Sequence, residues 1–116
     1  MASAHDYNLG DDSRLTVLID ALARIEGSLA PPVGAQARAR GLVVLALRWT
    51  AENAPSGDLS IFDPSLLARA VEWEQDPKDL VAVLQETGFL DARQRWIDLD
   101  EMYTAYKPFI GWALEE

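Results

Sequence analysis

Residues 63–91 read DPSLLARAVEWEQDPKDLVAVLQETGFLD. Two D-P-x-x-L starts, Asp63-Pro64 and Asp76-Pro77, lie thirteen positions apart. An aspartate at the N-cap accepts a bond from an orphan backbone N–H, and proline fits the next position because no donor is needed there. This spacing leaves room for one short helix, a tight turn and a second helix, which is a helix-turn-helix pattern. The first helix is expected over about Pro64–Trp73, burying Leu66, Leu67, Ala70 and Val71. The second is expected over about Pro77–Thr87, burying Leu80, Val83 and Leu84, with Gly88 as its stop.

Reading outward, Phe89-Leu90 and Trp96-Ile97 flank the polar stretch ARQR (92–95) and predict a short β-hairpin. On the other side, Asp58-Leu59-Ser60-Ile61-Phe62 alternates as a short strand would. The turn formers Asn53-Ala54-Pro55-Ser56-Gly57 precede it. A helix over about Ala35–Asn53 carries Arg38 and Arg40 early. It then becomes apolar on nearly every side in LVVLALRW (42–49), with Arg48 snorkelling or pairing with an acid. It is the expected hub. Leu15, Leu18, Ile19, Leu22 and Ile25 form the stripe of a first helix, capped by Asp12 or Ser13 and stopped by Gly27. The prolines of LAPPVG (29–34) make a loop. The expected fold is therefore mostly α: a winged helix-turn-helix with a short β-hairpin, an extra N-terminal helix and a C-terminal aromatic arm. The divisions are a flexible 1–11, a winged-helix domain over 12–99 and an arm over 100–116.

The stretch Trp49–Leu99 resembles a family of bacteriophage and prophage winged-helix proteins, similar to the N-terminal domains of replisome-organiser and DnaD-like replication proteins. The segments that carry the likeness are WTAENAPSGDLS (49–60), LLARAVEW (66–73), DPKDLVAVLQETGFLD (76–91) and RWIDLDEMY (95–103). The resemblance implies a winged helix and a place in DNA replication or metabolism, with DNA or a replication protein as partner. Members commonly continue into a basic tail, where this sequence reads FIGWALEE (109–116).

Charge bears on that implication. The 116 residues carry a net charge of −9. Residues 1–57 hold five Arg against six acids, −1, and residues 58–116 hold five Lys/Arg against thirteen acids, −8. The helix-turn-helix lies in the acidic part, whereas DNA affinity rests on neutralising phosphates. On the second helix of the pair, Lys78, Asp79, Ala82, Gln85 and Glu86 are expected to face outward. Lys78 and Gln85, with Arg93 and Arg95 at the hairpin tip and Arg69, are the candidate nucleic-acid contacts. The plainer reading makes Arg93 and Arg95 ordinary turn charges.

Chemistry is not expected. The one histidine is His5, in a polar stretch, and there is no cysteine, which excludes disulfides, thiolate metal sites and Cys/His constellations. No Gly-rich phosphate loop occurs. Glu72, Glu74, Asp76 and Asp79 match no calcium-loop spacing and read as solvated surface. No enzyme, cofactor or metal is expected. The longest apolar run, Gly41–Leu47, is too short to span a bilayer, and MASAHDYNLGDD (1–12) does not read as a secretory signal. The expected compartment is the cytoplasm, a host's if the chain is phage-encoded.

Met102, Tyr103, Tyr106, Phe109, Ile110, Trp112 and Leu114 make the last segment strongly apolar, with Pro108 breaking, kinking or starting a helix there. Two readings stand. Tyr103, Tyr106, Phe109 and Trp112 complete the domain's own core, or they cover a partner, most simply a second copy in a homodimer. The leading functional expectation is a non-enzymatic phage-type adaptor acting through protein contacts. The alternatives are a sequence-specific DNA-binding regulator or replication initiator, and an acidic DNA mimic that inhibits a host protein.

Overall fold

The structure, a computed structural model, describes residues 13–27 and 33–114, with the side chains of 14–27 and 33–109. The expectations placed on residues 1–12, on 28–32 and on the Trp112 side chain lie outside the described residues. Five helices form: α1 (Ser13–Ile25), α2 (Ala35–Asn53), α3 (Pro64–Ala70), α4 (Pro77–Glu86) and α5 (Leu99–Leu114). α2 packs against α1, α3 and α5, so it is a hub for three of them. α4 packs instead on α1 and α3.

The core follows from the helical stripes. α1 buries Leu15, Leu18, Ala21 and Leu22, and α2 buries Ala39, Leu42, Val43, Ala46 and Leu47. α4 contributes Leu80, Val83 and Leu84, and α5 contributes Met102 and Tyr106. The α3 stripe is turned from the expected one. Leu67, Ala68 and Val71 are buried, while Leu66 is 42% exposed. A seven-residue helix is less than two turns of contact, so the neighbours α2 and α4 decide which of two adjacent leucines goes inside.

α3 and α4 share one construction at both ends. The Asp63 carboxylate accepts the Ser65 N–H, and the Asp76 carboxylate accepts the Lys78 N–H, each at 2.9 Å. A proline stands at the first helical position of each. At the other end, Trp73 N–H donates to the Ala68 carbonyl at 2.8 Å, and Phe89 N–H to the Leu84 carbonyl at 2.9 Å. These are Schellman closures, which need a left-handed residue just before the donor. After α4 that residue is Gly88, at φ 90°. After α3 it is Glu72, at φ 60°, which ends that helix at Ala70, short of the Trp73 expected from the sequence. A side chain there is strained where glycine is not. Glu72→Gly is therefore expected to stabilise the fold by about 0.5–1 kcal/mol, after the extra entropy of glycine in the unfolded chain is deducted. A urea midpoint that is unmoved or lower would refute this.

The hairpin is the chief difference from expectation. Among the described residues no strand forms; two isolated antiparallel bridges, Asp58 with Arg95 and Leu90 with Trp96, stand in its place. Their backbone bonds run from Leu59 N–H to Gln94 O, Trp96 N–H to Gly57 O, Asp91 N–H to Arg95 O and Ile97 N–H to Phe89 O. The extended stretches are too short to be strands because left-handed residues hem them in. Gly57 and Gly88 precede them, and Gln94 and Asp98, at φ 62° and 56°, interrupt or follow them. The expected strand over 58–62 turns back at once. The Asp58 carboxylate takes both the N–H and the hydroxyl of Ser60, and Phe62 N–H reaches the Leu59 carbonyl.

α5 begins at Leu99 with Asp100 and Glu101 in its first turn, where acids suit the helix dipole. It runs through Pro108 as one helix, so of the expected break, kink or new start, neither the break nor the new start occurs. Proline there removes one backbone donor and crowds the carbonyl of Thr104 four residues back.

Candidate functional site

The turn between α3 and α4 is closed by Trp73, whose indole N–H donates to the Asp76 carbonyl at 3.0 Å. Glu72, Glu74, Asp76 and Asp79 are all exposed around it. Lys78, in the first turn of α4, and Arg69, in the last turn of α3, are exposed as well.

The remaining expected nucleic-acid contacts converge on Asp91. Its carboxylate accepts the backbone N–H groups of Arg93 and Arg95, at 2.8 and 3.0 Å. Its carbonyl accepts Gln94 N–H, so residues 91–94 form a tight turn. The Arg95 N–H bond, with help from Arg93, holds the Asp91 carboxyl below its ordinary range, although burial opposes this. The Arg95 guanidinium lies 3.7 Å from that carboxylate. Arg93 extends exposed at the tip.

Gln85 does not face outward as expected. It is half-buried, and its amide donates to the Asp91 carbonyl at 3.1 Å, tying α4 to the tip turn. A residue that faces solvent on an isolated helix faces the chain here because the 91–95 turn folds back over α4. Glu86 is engaged too, by Arg24 of α1 at 2.7 Å. α1 also sends the Arg14 guanidinium over the Phe89 ring, 5.0 Å from its centre. These α1 contacts had no sequence signal, since nothing in a helical stripe says which neighbour its polar side meets.

The aromatic arm divides. Met102 and Tyr106 are fully buried in the domain's own core. This corrects Tyr106 as a partner residue, because α5 lies along α2 and turns that face inward. Tyr103 is half-buried; burial first, then the Asp100 charge, pushes its hydroxyl up to about 12. Phe109 remains 47% exposed.

A second surface feature is a small apolar crevice of about 10 Å³, room for about one water molecule, between the α2 end and the α3 start. Trp49 and Phe62 meet edge-to-face in it, ring centres 5.0 Å apart. Leu67 and Val81 form further wall, and Asp63 stands at it as the one charged lining residue. The Ser65 N–H on the Asp63 carboxylate keeps that group below its ordinary range, hence ionised at neutral pH.

Among the described residues no three or more His, Cys, Asp and Glu side chains gather to hold a metal ion. No described helix is long and apolar enough to cross a membrane. Comparison with protein-family models, with curated proteins and with solved structures finds no match to this chain.

Proposed function

We propose that the chain is a non-enzymatic adaptor of DNA metabolism, built as a winged helix-turn-helix that acts mainly through protein contacts. The α3–turn–α4 unit, with the bridged segments 57–59, 89–91 and 94–97 beside it, supports the winged-helix part of this reading. The resemblance of residues 49–99 to replisome-organiser proteins supports the process. One observation carries the preference for protein over DNA. On α4, the Gln85 amide is spent on the Asp91 carbonyl and Glu86 is ion-paired, which leaves Lys78 beside exposed Asp79, Glu72 and Glu74. A helix with that outer face meets phosphate with mostly the wrong sign.

The second reading, a DNA-binding regulator or initiator, has its own support. Arg69, Lys78 and Arg93 are exposed and have no acid within ion-pair distance among the described residues. A gel shift with a short duplex at low salt separates the two. The expected result is no retarded band at micromolar protein. A band that weakens steeply with salt, and that Arg93→Ala with Arg95→Ala abolishes, would overturn the adaptor reading.

A further inference from the structure

The side of α2 turned away from the core is absorbed by neither reading of α4. Ala39, Leu42, Val43, Ala46, Leu47 and Thr50 mark the buried side of this helix. Gly41, Leu45 and Arg48 lie opposite, on a line that runs from exposed Arg38 to exposed Glu52 at intervals of three and four residues. Val44 stands beside them, half-buried as Gly41, Leu45 and Arg48 are. The outward face of a helix is ordinarily polar, yet the middle of this one is Gly41, Val44 and Leu45. α1 and α5 pack along α2 and make no contact with each other. A side-chain carbon at Gly41 would meet nothing within 4 Å, so the middle of the face is open.

The charges at its two ends narrow what covers it. Arg38 and Glu52 each stand seven residues from Leu45, one basic and one acidic. A partner of a single charge sign meets its own sign at one end of this face. A second copy of α2 laid antiparallel, with the two-fold axis at Leu45, sets each Arg38 against Glu52 of the other copy, and the symmetry makes that pair twice. A parallel copy sets like charges together, which is costly. Glu52 has no cation within ion-pair distance among the described residues. Arg38 is paired with Glu26, but half of its side chain is exposed and a guanidinium has donors for a second acid. In the antiparallel arrangement Arg48 passes over Gly41 of the other copy, where no side chain stands in its way. We infer that the outer face of α2 is a homodimer interface, formed by antiparallel packing of α2 on α2 about Leu45.

This inference is independent of what α4 binds. Sedimentation velocity on the full chain, from micromolar to about 1 mM, is expected to show monomer giving way to dimer, a weak association because one helix face is at the low end of interface sizes. Gly41→Glu is expected to leave only monomer and to keep the fold, since the position is open and glycine is the poorer helix former. Arg38→Glu and Glu52→Arg are each expected to weaken dimerisation about tenfold at low salt, as two lost ion pairs and two like-charge contacts would. The double exchange is expected to restore association to within about threefold.

A chain that stays monomeric at about 1 mM overturns the inference. So does a dimer indifferent to Gly41→Glu, because its contact then lies elsewhere. A double exchange that circular dichroism shows to be folded, and that fails to restore association, overturns it as well. If the double variant does not fold, Gly41→Glu alone decides.

Discussion

Trp96→Ala is expected to destabilise the fold by about 3–5 kcal/mol, the range for removing a large buried aromatic. Trp96 is 7% exposed and packs edge-to-face with Phe89, ring centres 6.5 Å apart. Its indole N–H donates to the Thr50 hydroxyl at 2.8 Å, and that hydroxyl donates to the Ala46 carbonyl, also at 2.8 Å. The residue thus ties the bridged segments to the last turn of α2, forty-six positions earlier in the chain. A small domain has only about 5–15 kcal/mol in total, so this one change approaches the limit of folding.

Thr50→Val isolates the polar part of the same contact. It keeps the shape and leaves a buried indole N–H unpaired, which costs about 1–3 kcal/mol. Combining it with Trp96→Phe, which removes the donor, should cost less than the sum of the two. Urea unfolding followed by circular dichroism reads Trp96→Ala, the two single variants and the double without relying on tryptophan emission. A loss under about 1 kcal/mol for Trp96→Ala would be too small for a packed aromatic and would remove Trp96 from the core.

Local chemistry was legible in the sequence, and the choice among neighbours was not. Asp63, Asp76, Gly27 and Gly88 each act within a turn of their own position, so caps and stops follow from residue type alone. The apolar hub was legible because a helix without a polar side has nowhere else to go. Leu66 against Leu67 is a choice that α2 and α4 make. Gln85 turns inward because the Asp91 carbonyl comes to it from six residues on, and Tyr106 because α5 lies along α2. Trp96 pairs with Thr50 through the fold and through nothing in the local pattern. Of the short β expectation, the Phe89-Leu90 and Trp96-Ile97 segments do meet, in the isolated bridge Leu90–Trp96. It overreached on their length, because Gln94 and Asp98 at positive φ show no mark that separates them from ordinary polar residues.

The same contact network makes Gly57 the second sensitive position. Gly57→Val is expected to cost about 3 kcal/mol or more, and Gly57→Ala about 1–3 kcal/mol, from backbone strain at positive φ plus overlap. Gly57 sits at φ 89°, where a side chain is strained in any surroundings. A methyl group there would also stand 2.7 Å from Leu99 Cδ2 and 3.6 Å from Trp96 Cβ. The leucine methyl is the end of a flexible side chain and can turn aside, so alanine is the milder change. Valine cannot be accommodated so cheaply, since its branch is stiff at χ1. The backbone at Gly57 cannot relax freely either. Its N–H donates to the Ala54 carbonyl at 2.7 Å, and its carbonyl accepts the Trp96 N–H at 3.0 Å. Leu99→Ala separates the two causes. In that background Gly57→Ala should lose the overlap and keep the backbone strain, so its cost should fall without vanishing. If it vanishes, crowding by Leu99 was the whole constraint and the left-handed turn is not required. If it is unchanged, the backbone alone demands glycine, and Trp96 depends on that turn for the bond its backbone N–H makes.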